Sequence, residues 1–428
     1  MLDIKLIRQN PEEIEKKLKT KDPEVSLKDV LKFDEQLRSI IGQEQDLQTE
    51  RNRVSKEIGM KKQKKEDVEG LLQQMQGVKN KIEELSEKRK EAETSLIHAL
   101  AVLPNIPLDD IPISLNKEEN VCVKEVGKKP SFTFEPKNHL QLNEHLHLFD
   151  FQRAAKIAGS GWPCYTGMGA QLEWALLNYM LDIHKKNGFH FILPPLLVKD
   201  NIMFSSGQLP KFEDQLYSLQ DDEFKLFLIP TAEVPLCGLH TDEILDAEKM
   251  PIKYVSYTPC FRREAGAAGK QERGLIRTHQ FNKVEMFAYS TQKQSSDVFQ
   301  EMLSSAEEVL QGLGLHYKNM LLVTGDMSFA STKTIDIEVY LPGQERYYEV
   351  SSISNCTDFQ ARRGKIRCKM KNDKPELVHT LNGSGLATSR LMVALLENNQ
   401  QEDGSVKIPT VLHKYLEKEI THLKPKNS

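Results

Sequence analysis

Between Thr258 and Phe287 the chain places chemically useful side chains at spacings that could bring them together. Thr258-Pro259-Cys260-Phe261-Arg262-Arg263-Glu264 reads as a strand. Alternate residues of a strand share a face, so Arg262 and Glu264 are expected to project together. A glycine-containing loop, Ala265 to Gly274, follows, and the chain returns as Thr278-His279-Gln280-Phe281-Asn282-Lys283-Val284-Glu285-Met286-Phe287. Here Phe281, Lys283 and Glu285 share a face. Paired as a hairpin, the two strands would offer an arginine, two carboxylates, a lysine and an aromatic plane on one surface. An arginine fork suits a phosphate, an aromatic face suits a stacked base, and a carboxylate accepts from an exocyclic or α-amino group. Taken alone, an Arg/Glu pair reads more simply as a cross-strand salt bridge. His279 is read as a satisfied core or surface histidine with no role in chemistry.

Other segments invite a similar double reading. Thr231-Ala232-Glu233 follows the apolar run Leu226-Phe227-Leu228-Ile229-Pro230, so Thr231 is placed to cap a helix and Glu233 to favour its N-terminus. Ile335 to Leu341 alternates strictly, as a half-buried strand does. Leu381-Asn382-Gly383-Ser384-Gly385-Leu386-Ala387-Thr388-Ser389-Arg390 leads into a helix. From about residue 105 onward, short strands, helices and glycine turns read as one α+β domain on an antiparallel sheet.

The first 103 residues have a different grammar. Positions 30, 33, 37, 40, 44, 47, 51, 54 and 58 step by three and four, and all are apolar except Glu44 and Arg51. A second register runs through Val68, Leu71, Met75, Val78, Ile82, Leu85, Arg89, Ala92, Leu96, Ala99 and Leu103. Both are heptad seams. The apolar repeat stops across Gly59 to Glu66, where the glycine permits a turn. The two helices are therefore expected to fold back as an antiparallel coiled-coil hairpin about 45–55 Å long. Lys61, Lys62, Lys64 and Lys65 give its tip a concentrated positive charge, which suits RNA; on composition alone a solvated turn on a dimerisation element is the simpler reading. Pro104, Pro107 and Pro112 mark an extended linker between the halves.

Bulk properties narrow the field further. The 428 residues are long enough for two or three domains, and a net charge of −4 excludes a uniformly basic nucleic-acid binder. Six scattered cysteines without a CxxC spacing fit a reducing compartment, with neither a disulfide framework nor a cysteine zinc site. No apolar run approaches the roughly 18 residues that a membrane span needs, and the opening MLDIKLIRQNPEEIEKK lacks the pattern of a signal peptide. A cytoplasmic protein with no membrane partner is expected.

The joint pattern is far more specific than its parts. The arginine-bearing strand, variable loop and aromatic return strand (258–287) resemble motif 2 of the class II aminoacyl-tRNA synthetases, and FRREAGAAGKQERGLIRTHQFNKVEMF resembles the bacterial-type seryl branch closely. Residues 188–198 resemble motif 1, which in that family forms a dimer interface, and 381–397 resemble motif 3. The helical hairpin resembles the arm that seryl enzymes lay against tRNA, so the likeness covers essentially the whole chain. It implies a tRNA-binding coiled-coil arm over 1–103 and a class II antiparallel-sheet catalytic domain over 104–428. It implies a homodimer that activates L-serine with ATP and Mg²⁺ and charges tRNA(Ser), with tRNA(Sec) where present.

Residue roles follow by the same likeness. Arg262 and Arg390 are the catalytic cations. Arg262, Arg263, Glu264, Thr278, Phe281, Glu349, Val350, Ser351, Ser352 and Arg390 form the ATP site. Glu349 and Ser352 are the metal ligands, and strict alternation would put them on opposite faces, so a bulge or strand end must intervene if both bind. Thr231, Ala232, Glu233, Glu285, Asn382 and Ser384 form the serine pocket. Lys61, Lys62, Lys64, Lys65, Lys270 and Arg273 face tRNA. Ser389 departs from the family pattern, which commonly has glycine before the motif 3 arginine. Competing readings are an adenylate-forming ligase that serves a carrier protein, and a non-catalytic RNA-binding relative. The first lacks a long arm, and the second would have lost the motif arginines.

Overall fold

The computed structural model describes residues 1–220, 223, 225–264, 274–417 and 420–425. The chain divides into two compact units, Leu2–Pro104 and Asn105–Ser428.

In the first unit two short helices, α1 (Ile4–Gln9) and α2 (Pro11–Lys19), precede two long ones, α3 (Lys28–Gln63) and α4 (Glu69–Ala101). At about 1.5 Å per residue, the 36 residues of α3 extend about 54 Å. Gln74 donates to Glu50 and Arg89 to Glu44. As positions fall along one helix they rise along the other, so the pair is antiparallel. Val54, Ile58, Val78 and Ala92 are buried in the seam. Glu44 and Arg89, a polar break in each heptad register, meet as an ion pair at 3.2 Å, with the Glu44 side chain 8% exposed. An inward charge of this kind is satisfied in one register only.

The turn lies further along than the sequence suggests. Gly59 stays inside α3, where a single glycine costs only about 1 kcal/mol and Met60, the lysines and Gln63 favour helix. The helix ends when the Lys64 N–H returns to the carbonyls of Met60 and Lys61, and Lys65 takes the left-handed conformation with φ +60°. Lys61 and Lys62 thus occupy the last turn, where the helix dipole favours cations.

The second unit is built on one eight-stranded sheet. Its strands are β1 (Val121–Val126), β2 (His190–Phe191), β3 (Ile252–Phe261), β4 (Gln280–Ser290), β5 (Tyr317–Leu321), β6 (Lys333–Leu341), β7 (Arg346–Thr357) and β8 (His379–Ala387). They lie in the order β1-β5-β6-β7-β8-β4-β3-β2, and neighbours are antiparallel except at the β3–β2 edge. The helices that matter for the site are α5 (His139–Leu146), α6 (Met168–Lys186), α7 (Glu233–Gly238), α8 (Ser295–Gly312), α9 (Phe359–Gly364) and α10 (Thr388–Asn398). Period two sorts each strand between two faces. Val284, Met286 and Ala288 of β4 join Ile335, Ile337, Val339, Ile353 and Leu381 in one core under α6, α8 and α10. The alternate residues Phe281, Lys283, Glu285, Phe287 and Tyr289 face the other way, and Phe287 and Tyr289 are covered by residues of α7 and α9. What remains of that second face is open, and the polar side chains gather there. Among the described residues, no helix is long and apolar enough to cross a membrane.

Candidate active site

A cavity of about 200 Å³ opens on the polar face of the sheet. Its walls include Arg262, Glu264, Arg277, Thr278, Phe281, Lys283, Glu349, Val350, Ser384, Ser389 and Arg390. Phe281 and Lys283 come from β4, Glu349 and Val350 from β7 and Ser384 from β8. In the hairpin of β3 and β4, Cys260 pairs with Phe281 and Thr258 with Lys283, and Glu285 pairs with both Ser256 and Ser384. The expected hairpin therefore forms, but its first strand ends at Phe261. Arg262 still pairs through its N–H to the His279 carbonyl at 2.9 Å, whereas Glu264 is left-handed with φ +49°. Strand alternation thus does not orient Arg262 and Glu264, because the pleat has already stopped; both reach the cavity from the turn beyond it.

The Arg262 guanidinium lies 5.1 Å from the centre of the Phe281 ring and donates from Nε to the Pro230 carbonyl at 3.4 Å. Glu264 is held by Arg277, Nε to Oε2, at 2.7 Å. Arg390, in the first turn of α10, donates to the carbonyl of Glu349 at 2.8 Å, to its carboxylate at 3.3 Å and to the Ile276 carbonyl at 3.4 Å. Ser389 is buried at the cavity wall. Arg263 is not among the residues lining the cavity, and its N–H bonds to the Gln215 carbonyl. Ser351 also lies outside it: its side chain faces the core and donates to the Ser384 carbonyl at 2.5 Å. His279 packs its ring near Trp162 and lies against the Arg262 carbonyl.

A bulge decides where Glu349 points. Ile337 pairs with Ser351 and Glu338 with Glu349, which leaves Val350 as the extra residue of β7. Val350 turns into the core, and Glu349 joins Ser352 on the polar face. Both line a second cavity of about 700 Å³, with Asp336, Glu338 and Arg390. Burial and the charge of Glu349 push the carboxyls of Asp336 and Glu338 above the usual range, and Asp336 Oδ1 is buried without a hydrogen-bond partner. This crowding of carboxylates favours a cation. No cluster of three or more His, Cys, Asp or Glu side chains poised for a metal occurs among the described residues. Two oxygen donors plus phosphate oxygens and water fit the habits of Mg²⁺.

Beside this first cavity lies a buried ionic pocket. Lys283 Nζ lies 2.5 Å from Glu285 Oε2 and donates to Thr231 Oγ1 at 2.7 Å. Thr231 Oγ1 also accepts from the Glu233 N–H at 3.2 Å. The N-cap of α7 is Ala232, so Thr231 stands one residue ahead of the expected cap and bonds both the helix entry and Lys283. Glu233 Oε1 accepts from Gln360 Nε2 at 2.7 Å and Asn382 Nδ2 at 3.1 Å. Burial, and then the neighbouring charge of Glu285, push the Glu233 carboxyl up to about 7. Ala232 is fully buried at the same turn. Two carboxyls facing one ammonium leave room for a second cation, and a substrate ammonium supplies one.

Three residues of this site escaped the sequence reading as members. Lys283 was visible on the shared face of β4 and simply lacked an assigned role. Arg277 and Gln360 carried no signal: the first follows a turn, and the second arrives from α9 more than 120 residues after Glu233. Of the residues expected to face tRNA, Lys61, Lys62, Lys64 and Lys65 stand at the turn of the helical hairpin, and Lys61 lies 3.9 Å from Glu57. Lys270 and Arg273 lie outside the described residues.

Comparison with known proteins agrees with this architecture. Residues 1–107 match the seryl-tRNA synthetase N-terminal domain, and residues 212–399 match the class II tRNA synthetase core domain (G, H, P, S and T). The chain is 52% identical to the serine–tRNA ligase of Chlamydia pneumoniae over 416 residues, covering 97% of each. It is 51% identical to that of Chlamydia abortus over 417 residues, covering 97% of this chain and 98% of the other. In structure it is similar to the ATP complex of seryl-tRNA synthetase from Pyrococcus horikoshii, with a TM-score of 0.93, 37% identity and 100% of each chain covered.

Proposed function

The chain belongs to the seryl-tRNA synthetase family, and from that membership we propose that it joins serine to ATP and passes the seryl group to tRNA(Ser). The observation that carries this reading is the adjoining of two sites on one sheet face. A cavity with Arg262, Phe281 and Arg390 lies beside a pocket with Glu233, Lys283 and Glu285, and Lys283 and Ser384 stand between them.

In the first step a serine carboxylate oxygen attacks the α-phosphorus of ATP. The bond to the bridging oxygen breaks, and pyrophosphate leaves. Phe281 stacks on the adenine and Glu264 accepts from its amino group once the Arg277 pair adjusts. Arg262 meets the α-phosphate, and Arg390 takes the γ-phosphate end, where a cation stabilises the departing charge. Glu349 and Ser352 would hold Mg²⁺, which would neutralise phosphate charge and template the triphosphate. In the second step the terminal ribose hydroxyl of tRNA attacks the seryl carbonyl, and AMP leaves. No protein nucleophile is needed; positioning and fixed charge do the work.

Serine is held by its ammonium at Glu233 and Glu285, with Asn382 and Ser384 near the hydroxyl. A pocket that pairs a hydroxyl rejects alanine because a buried polar group is then left bare. The exposed apolar side chains Trp174, Phe191 and Leu193 support a homodimer through the region around motif 1. The chain is read as acting in the cytoplasm.

ATP–pyrophosphate exchange with each of the twenty amino acids, without tRNA, tests this directly. Exchange with serine alone is expected. Exchange with a different amino acid would overturn the substrate, and none at all would overturn the enzyme. A further prediction concerns the arm. Deleting residues 61–65 should weaken tRNA charging and flatten its salt dependence, by roughly 0.9 in log–log slope per lost phosphate contact, while pyrophosphate exchange is unchanged. Equal loss of both activities would show that the arm supports the fold instead.

A further inference from the structure

His139 and Glu397 lie outside the cavities and form a set of bonds for which the proposed reaction has no use. His139 opens α5 and is 2% exposed, and Glu397, near the end of α10, is fully buried. Glu397 Oε1 accepts from the His139 N–H at 3.0 Å and from Gln344 Nε2 at 3.1 Å, and lies 3.3 Å from His139 Nδ1. Oε2 accepts from the Gly343 N–H at 3.1 Å. Across the ring, His139 Nε2 receives the backbone N–H of Leu275 at 3.3 Å. An N–H donates only to a ring nitrogen without a proton, so Nδ1 carries the proton and directs it to Glu397. Carboxylate and imidazole make a two-link chain that ends on one backbone amide.

That amide sits in the turn Gly274–Ile276, which leads directly into Arg277 and Thr278 of the nucleotide cavity. The turn is shaped around the ring: Gly274 has φ +69°, and a Cβ there would lie 2.3 Å from His139 Nε2. The Ile276 carbonyl in turn accepts from Arg390 Nε at 3.4 Å. Helix α10 therefore holds the turn twice, directly through Arg390 and, seven residues later on the same face, through Glu397 and His139.

We propose that His139 is a positioning residue for the nucleotide: with Glu397 it fixes the Gly274–Ile276 turn, and so sets Arg277 and Thr278 along the nucleotide and the Arg390 guanidinium against the phosphates. This rests on the functional reading above. The serine pocket hangs from other elements, so its affinity should be spared.

His139→Leu is expected to raise the KM for ATP in pyrophosphate exchange roughly tenfold, the scale of one buried hydrogen bond, with the KM for serine within about twofold. His139→Gln presents a carbonyl to the Leu275 N–H and should recover most of the loss, whereas the shorter His139→Asn should not. The Gln/Asn pair carries the same comparison if the leucine variant does not fold. Hydrogen exchange should be faster across Leu275–Thr278 in the leucine or asparagine variant and unchanged in the helical hairpin, a readout that needs no activity. Equal effects on both substrates, or an unchanged ATP KM with unchanged exchange at Leu275, would overturn the proposal. If the unmodified chain showed no serine-dependent exchange, the functional reading would fail, and hydrogen exchange alone would decide whether His139 anchors the turn.

Discussion

Arg262→Ala should lower serine-dependent pyrophosphate exchange by about 10³-fold or more, the scale on which preorganised charge at a reacting centre acts. The Arg262 side chain is exposed toward the cavity, and among the described residues it makes a weak bond to the Pro230 carbonyl and lies on the face of Phe281. The buried Glu233 carboxyl, on which its charge acts, keeps Gln360, Asn382 and the stronger influence of Lys283, so stability should stay within about 0.5 kcal/mol. Loss of exchange with an unchanged melting temperature would place Arg262 in the reaction rather than the fold. Near-normal exchange would remove the central residue of the assignment, and with it the α-phosphate contact.

The second large effect is expected from the serine pocket. Lys283 and Glu285 are 8% and 2% exposed, and their charged atoms lie 2.5 Å apart. Glu285→Ala removes the carboxylate that pairs with the buried ammonium of Lys283, leaving it the Thr231 hydroxyl as hydrogen-bond partner and the more distant Glu233 carboxyl. Breaking one side of a buried pair typically costs about 3–5 kcal/mol, far more than such a pair contributes net. Chemical denaturation should show that loss, and the KM for serine should rise steeply because the substrate ammonium loses one of its two carboxylates. The double change Glu285→Ala with Lys283→Met should restore much of the stability without restoring serine binding. If Glu285→Ala cost less than about 1 kcal/mol, water would have to reach Lys283, and the pocket would be wetter than its geometry implies.

Much of this architecture was legible before any coordinates. Heptads disclosed the hairpin because a coiled coil writes its contacts at a fixed local period. Alternation along Phe281, Lys283 and Glu285 disclosed one wall of the site for the same reason. What stayed hidden was non-local or irregular. The turn after Gln63 was misplaced because a glycine inside a long helix is affordable and looks, in sequence, like a stop. The end of β3 at Phe261 leaves no mark in residue type. The bulge at Val350, or a strand end, was called for only if Glu349 and Ser352 share a metal, and it was invisible in pattern, since one additional residue in a strand changes facing without changing composition. Gln360 and Asn382 meet Glu233 only after the sheet has assembled. His139 carries no local signal; its meaning comes from Glu397 and Leu275, each more than 130 residues away.

The Glu44–Arg89 pair sets a rule for how this arm can change length. It locks the two helices together partway along, leaving residues 45–63 and 69–88 to reach the tip. An insertion on one side alone would slide charge past its mate and apolar side chains off their seam. Matched insertions of a heptad on both sides would keep every partner and carry the lysine-bearing end outward by about 10.5 Å. Reach is therefore quantised, like the teeth of a ratchet, and any RNA that the tip grips can be accommodated only at distances spaced by that step.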